Sequence, residues 1–415
     1  MPDSTTALFA DPYGWISAQC DALGSDVIRA RIAFRDTVCV RGHAAAAEFY
    51  ETERFQRDRA MPTVVKHVLL GKGGVQGLDG AAHRHRKALW LSLMDETALA
   101  RFATLAEEGF DEAIAGWKDR EEIVLYDELV TSLARIVFRW AGVPVEEAEL
   151  AERATTLATL YEDVAEFGWR HLRARLARRD SNRWAAALVE SVRDGSRVPP
   201  DRCALVRFAH HRDLDGEPLH ADVAAVELLN VLRPTIAVAR YITFAVHALH
   251  TSPGCAERVW RDPDHELEPF VQEVRRHYPF FPLVAARTRG SVHIGGFELP
   301  PDTRTLLDIP GTNRDPTVWK EPACFDPSRF HGRDIDSFEL VAQGGGDHAL
   351  NHRCAGEWIT LLLMRIAVRR FAVELDWTPR PGQDLSLVTD EVPARVSSGL
   401  VLGGLGARAR PRALA

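Results

Sequence analysis

The sequence predicts a mainly α-helical protein with a small β part. Three observations lead there. Long stretches carry apolar residues at three- and four-residue spacing with charges between them, strand-like alternation is confined to short regions, and no Gly/Ser- or Pro-rich tract divides the chain. The whole of residues 1–415 is therefore expected to form one domain around one large core. Hydrophobic residues at 46% and charged residues at 27% are ordinary for a packed globular interior. A formal charge of −8 gives no electrostatic reason to expect nucleic acid. The N-terminal MPDSTTALFADPYGW lacks the charged and apolar regions of a leader, and every apolar run elsewhere is broken short of a membrane span. A cytoplasmic protein without a membrane anchor is expected. The cysteines Cys20, Cys39, Cys203, Cys255, Cys324 and Cys354 form no C-x-x-C pair, which argues against a disulfide framework or a structural zinc site.

Element by element, DVIRARIAFRDTVCV (Asp26 to Val40) alternates as a short β-hairpin with its turn near Arg35-Asp36. Helical spacing then runs over Ala98 to Lys118, Glu122 to Trp140, Glu146 to Arg178 and Arg183 to Arg193. The arginines between Trp169 and Arg193 are interspersed with acids, which favours a solvated helix face over a dock for an acidic partner. One long helix is expected from about Leu219 to Thr251, through an internal proline, and another from about Glu266 to Tyr278. RTRGSVHIGGFELPPDTRTLLDIP reads as short strands and Gly/Pro turns, and a last strong helix begins near Gly356.

Chemistry concentrates at Cys354, in QGGGDHALNHRCAGEW, where a glycine-rich loop with cationic side chains leads into that last helix. Loop amides, a helix N-terminus and a metal each stabilise a thiolate, so the setting suits a metal-ligating cysteine; a small buried hydrophobe is the plain alternative. Upstream, EVRR places Glu273 and Arg276 on one helix face at i, i+3. In WKEPACFDPSRF, Arg329 can join them in a buried ion network whose role would be structural.

Glu-x-x-Arg, then the segment with Arg329, then the glycine loop with Cys354-x-Gly356, resembles the cytochrome P-450 superfamily in order and spacing over essentially the whole chain. That resemblance implies haem b bound through the Cys354 thiolate, between the central helix and the helix after the cysteine. The ligand loop departs from the common form, with Asp347 and Leu350 where an aromatic residue and a glycine are usual. It is instead similar to the bacterial fatty-acid peroxygenase branch, through Gly344 to His348, His352 to Cys354, and Glu357. Asn351 stands where that branch would have glycine, and Asn tolerates left-handed backbone better than most residues.

The central helix reads AAVELLNVLRPTIAVARYI, with Arg233 and Pro234 where other members of the superfamily carry an acid and an alcohol. Proline removes an intrahelical hydrogen bond and opens a groove. An arginine on an apolar face needs an anion, either a protein carboxylate or a substrate carboxylate held through a bidentate pair. The Arg-Pro pair also resembles the peroxygenase branch, which implies a fatty-acid carboxylate on Arg233 acting as the general acid–base that the helix lacks. The implied reaction is hydroxylation at the α or β carbon with hydrogen peroxide and without redox-partner proteins.

In VVKHVLLGKGGVQGLDGAAHRHRKALWLSLM, Gln76 falls where the branch has glutamine or histidine, and glutamine points toward hydroxylation rather than decarboxylation. Leu69, Leu70 and Phe281 are candidates for the pocket wall, and His83, Arg86, Lys87 and His352 for the haem propionates; Arg84 and His85 are read as solvated. Decarboxylation to terminal alkenes, and a haem-thiolate sensor without turnover, remain the competing readings.

Overall fold

The computed structural model describes residues 2–408. Helices dominate, as the apolar spacing predicts. Their hub is Ala221–Thr251, whose side chains are buried on nearly every face because it packs against Leu125–Ala141, Trp169–Arg193 and Glu357–Arg369. An amphipathic stripe would not survive there, which is why this segment is apolar almost all round. Pro263–His277 crosses beside it and leads into the strand region.

The β part is a five-stranded sheet. Val27–Ile32 pairs antiparallel with Arg35–Val40, which runs parallel to Arg304–Asp308. Leu283–Thr288 pairs antiparallel with Arg304–Asp308 and with the two-residue strand Phe55–Gln56 at the far edge. A separate sheet joins Glu122–Val124, Val401–Ala407 and Leu375–Pro379.

Several boundaries differ from expectation. The first hairpin turns at Ala33 and Phe34, not at Arg35-Asp36, because both residues take positive φ (49° and 58°) and Ile32 pairs with Arg35. A two-residue hairpin loop of this hand normally advertises itself with Asn-Gly, and this one does not. Glu122–Val124 is strand, so the next helix starts at Leu125. The stretch expected as one helix from Glu146 breaks after Glu162, and the pieces beyond it form one helix, Trp169–Arg193. At the break Gly168 takes φ of 65°, and the buried Asp163 carboxylate accepts from Arg170 Nε at 3.2 Å and Arg173 Nε at 2.6 Å. The short N-terminal helices Thr5–Ala10, Trp15–Leu23 and His43–Phe49 were not foreseen, being too short to show a period. No helix among the described residues is long and apolar enough to cross a membrane.

Candidate functional site

Between the central helix and the helix Glu357–Arg369 lies a cavity of about 400 Å³. Its wall includes Cys354, Arg233, Pro234 and Gln76, the apolar Leu69, Leu70 and Phe281, and the cationic or donor groups His83, Lys87 and His352. Ten of the side chains singled out from sequence thus meet on one surface, although they come from widely separated segments.

Cys354 is placed by its loop. Gly344 and Gly346 take φ of 94° and 82°, and a β-carbon on either would collide with His352 O at 2.9 Å or Asn351 Oδ1 at 2.5 Å. Only glycine fits such positions. Asn351 does not use left-handed backbone, contrary to expectation; its side chain clasps the loop, accepting from Asp347 N at 2.8 Å and donating to Tyr50 O at 2.7 Å. Behind the loop, Glu357 accepts from Arg353 Nε at 2.6 Å, Arg275 NH2 at 2.5 Å and His348 Nε2 at 2.9 Å. Burial pushes the Glu357 carboxyl up, yet Arg275 and the His348 and Arg353 contacts hold it well below the usual carboxylate range. Arg275 therefore ties the cysteine loop to the helix Pro263–His277, a role the Glu-x-x-Arg pattern concealed. Burial likewise pushes the Cys354 thiol up, opposed by Lys87 and by the Gly356 amide.

One residue further along the same helix, Arg276 binds Glu273 through paired contacts of 2.6 and 2.7 Å, both side chains fully buried. Arg329 Nε approaches Glu273 at 3.2 Å, and Arg276 donates to Pro322 O and Cys324 O. None of the three lines the cavity, and their contacts join the helix to the irregular segment around Pro322 and Cys324.

On the opposite wall, Pro234 has no N–H, so the Asn230 carbonyl loses its helical donor. The Asn230 side chain is the hinge of the site. Its Nδ2 donates to Leu70 O at 2.8 Å and to Gln76 Oε1 at 3.2 Å, and its Oδ1 accepts from Arg233 NH2 at 3.4 Å. Gln76 is thereby linked to Arg233 through a residue that sequence reasoning missed. An amide three residues before the arginine, inside VELLNVLRP, was the available signal. Arg233 itself is buried, and no carboxylate among the described residues bonds to it. Burial, then the charge of Arg178, pushes its guanidinium down to about 9, while Tyr161 and Cys354 pull the other way. The competing reading, a protein carboxylate as partner, has no support in these contacts.

The loop carrying Gln76 is moored a second time by Glu227, which accepts from Val75 N at 2.9 Å, Trp90 Nε1 at 3.1 Å and Arg86 NH1 at 2.7 Å. Burial pushes the Glu227 carboxyl up to about 7; burial also pushes Arg86 down, but the Asp213 and Glu227 contacts outweigh it and raise the guanidinium. With donors on both its oxygens Glu227 is best read as the carboxylate. Arg86 must accordingly be corrected. It does not line the cavity but turns to Glu227 and to Asp213 Oδ2 at 2.5 Å, because a buried acid from the central helix claims it.

His83 and His352 stack with ring centroids 4.1 Å apart, and burial pushes their imidazoles down to about 3 and about 4. Lys87 donates to Arg353 O. Beside them stands a cation not anticipated from sequence, Arg57, which donates to Ala285 O at 2.8 Å and lies 4.4 Å over the Phe49 ring. It follows the two-residue edge strand, and its local sequence carries no motif.

Residues 267–397 match the family model described as Cytochrome P-450. Solved structures resemble the chain over nearly its full length. A structure of cytochrome P450SP alpha (CYP152B1) with (R)-ibuprophen is 44% identical, with a TM-score of 0.95, covering 98% of this chain and 99% of that one. Cytochrome P450EX alpha (CYP152N1) with myristic acid is 37% identical, with a TM-score of 0.94, covering 98% of each. A variant of cytochrome P-450 OleT in complex with arachidonic acid is 31% identical, with a TM-score of 0.95, covering 98% of this chain and 97% of that one. Among curated relatives, cytochrome P-450 76C4 of Arabidopsis thaliana is 34% identical over 116 residues, a match spanning 27% of this chain and 22% of that protein.

Proposed function

The chain belongs to the cytochrome P-450 family, in the CYP152 branch of its solved relatives, and from that premise we propose a hydrogen-peroxide-dependent fatty-acid hydroxylase acting at Cα or Cβ. The observation that carries the proposal is Arg233, a buried guanidinium on the cavity wall with no protein carboxylate bonded to it among the described residues. Residues 1–415 are read as one haem domain.

The cavity fits the family's cofactor, haem b ligated by a cysteine thiolate. Cys354 stands on one wall beside Gly356, whose missing β-carbon leaves unfilled a space 3.8 Å from Sγ. Arg57, His83, Lys87 and His352 supply donors that two propionates require. When bound, the haem would activate hydrogen peroxide as the oxidant.

The chain's own residues do the rest. Arg233 holds the substrate carboxylate through charge-assisted hydrogen bonds, strengthened by burial. Asn230 fixes the guanidinium and, through Gln76, the loop that covers it. Leu69, Leu70 and Phe281 take the alkyl chain. Held there, the carboxylate accepts the proton from one oxygen of hydrogen peroxide and returns it to the departing oxygen. The oxygen that gave up the proton enters a C–H bond and the departing one leaves as water, so acid plus peroxide gives hydroxy acid plus water. The central helix offers no acid–alcohol pair for this transfer, which is why the substrate must bring its own. Peroxide replaces redox-partner proteins, and a cytoplasmic location is proposed with it. Mass spectrometry of products from a mixed fatty-acid pool, supplied with hydrogen peroxide alone, tests the reading. Hydroxy acids at Cα or Cβ are expected. Alkenes as the main product would favour decarboxylation, and haem bleaching without product would favour the sensor reading.

A further inference from the structure

Outside the cavity, His85, His211 and Asp213 each place a ligand atom within 4.8 Å of the others. His85 lies on the helix Gly80–Leu91, on the face away from His83, and was expected to be solvated. It is instead half-buried, and its ring lies 5.0 Å from that of His211 at an angle of 34°. His211 and Asp213 belong to a finger, residues 211–219, closed by Leu219 N donating to His211 O at 3.0 Å and Asp213 N donating to Glu217 O at 2.9 Å.

Three features make this more than a meeting of polar side chains. His85 Nε2 lies 2.9 Å from Arg212 O, so its N–H is committed to a backbone carbonyl and Nδ1 keeps the lone pair. An outer carbonyl that fixes ring and tautomer is the usual support for a metal-binding histidine. His211 Nε2 is buried and has no hydrogen-bond partner. Asp213 uses Oδ2 for Arg86 at 2.5 Å, which leaves Oδ1 for another partner and orients the carboxylate as a second support. Burial pushes the His211 imidazole down, with Arg86 and His85 acting in the same direction and Asp213 opposing them.

We propose that His85, His211 and Asp213 form a site for a zinc-class divalent ion that clips the finger 211–219 to the helix Gly80–Leu91. Two imidazoles and one carboxylate are the ligand set that zinc accepts, with water completing a tetrahedron. Ligand bonds of about 2.0–2.2 Å require the three atoms to close to roughly 3.3–3.6 Å, a side-chain adjustment of about 1.5 Å at most. The ion would sit one arginine away from Glu227, which moors the loop bearing Gln76. The site is independent of the proposed reaction.

The test uses purified holoenzyme, stripped with chelator, incubated with zinc chloride, passed through gel filtration and analysed for zinc and iron by mass spectrometry. About one zinc per haem iron is expected for the wild type and for the control His331→Ala. His211→Ala and Asp213→Asn should retain little zinc while keeping full haem content. A zinc-induced rise in melting temperature, present in wild type and absent in His211→Ala, gives a second readout. Equal zinc retention by His211→Ala, or no zinc retained by wild type, overturns the proposal.

Discussion

Arg178 and Arg233 are two buried guanidinium groups that repel one another, with no carboxylate bonded to either among the described residues. All three guanidinium nitrogens of Arg178 lack a hydrogen-bond partner, and burial pushes it down to about 10. The protein therefore holds one uncompensated cation on the cavity wall, Arg233, and a second, Arg178, off that wall but close enough for its charge to act on Arg233. Arg178→Met should raise the stability of the substrate-free enzyme by about 1–3 kcal/mol, since a buried cation without a partner is replaced by apolar volume. The same change should weaken fatty-acid binding by roughly three- to tenfold, because part of the field that attracts the carboxylate is removed. Denaturant unfolding and Soret titration with the acid measure the two effects.

The Asn230 bridge predicts a different phenotype. Asn230→Leu removes the links from Leu70 and Gln76 to Arg233 while leaving the guanidinium in place. Substrate should still bind, but turnover should fall by about tenfold and the ratio of α- to β-hydroxy acid should broaden, as expected when a reacting group is misplaced by a fraction of an ångström. Product analysis by gas chromatography resolves this, and an unchanged ratio would remove Asn230 from the positioning of substrate.

Glu273→Gln should destabilise the fold by about 3–5 kcal/mol and lower haem retention, because Arg276 would be left buried without its carboxylate. Recovery of holoenzyme relative to total protein reports the loss. Normal stability would mean that the backbone carbonyls at Pro322 and Cys324 suffice for Arg276.

Acid titration should carry a contribution from Asp308, isolated by comparison with Asp308→Asn. Burial pushes its carboxyl from 3.8 up to about 6, partly offset by the Ser17 hydroxyl and the Gly311 amide. The folded protein thus keeps a proton that the unfolded chain releases between those values, and stability falls as pH rises through that window. The shift corresponds to about 3 kcal/mol at most. Asp308→Asn should flatten this part of the stability profile measured by unfolding from pH 4 to 7. A difference between the two proteins that stays constant over that range would contradict the assignment.

Much of this was legible in the chain, and the reasons are local. Cys354 stands in a glycine-rich loop, Glu273 and Arg276 are one helical turn apart, and Arg233-Pro234 interrupts an apolar helix, so each is announced within a few residues. Arg57 was invisible because a two-residue edge strand has no period. Arg86 was misplaced for a complementary reason. His83, Arg86, Lys87 and Trp90 share one helical face, and nothing within the helix says that Glu227, buried on another, will claim only one of the cations. Helical spacing selects a face; the partner across the interface decides the role.

On the proposed mechanism, the substrate carboxylate on Arg233 performs the proton transfer. The most direct measurement supplies hydrogen peroxide alone and compares a long-chain fatty acid with its methyl ester, using wild type and Arg233→Ala of equal haem content. Hydroxy acid is expected from the free acid with wild type, with at least about a hundredfold less product from the ester or the variant, on the order of what a general acid–base group contributes. Ester turnover at a rate comparable to that of the acid, or turnover of the acid that requires a reductase, would contradict it.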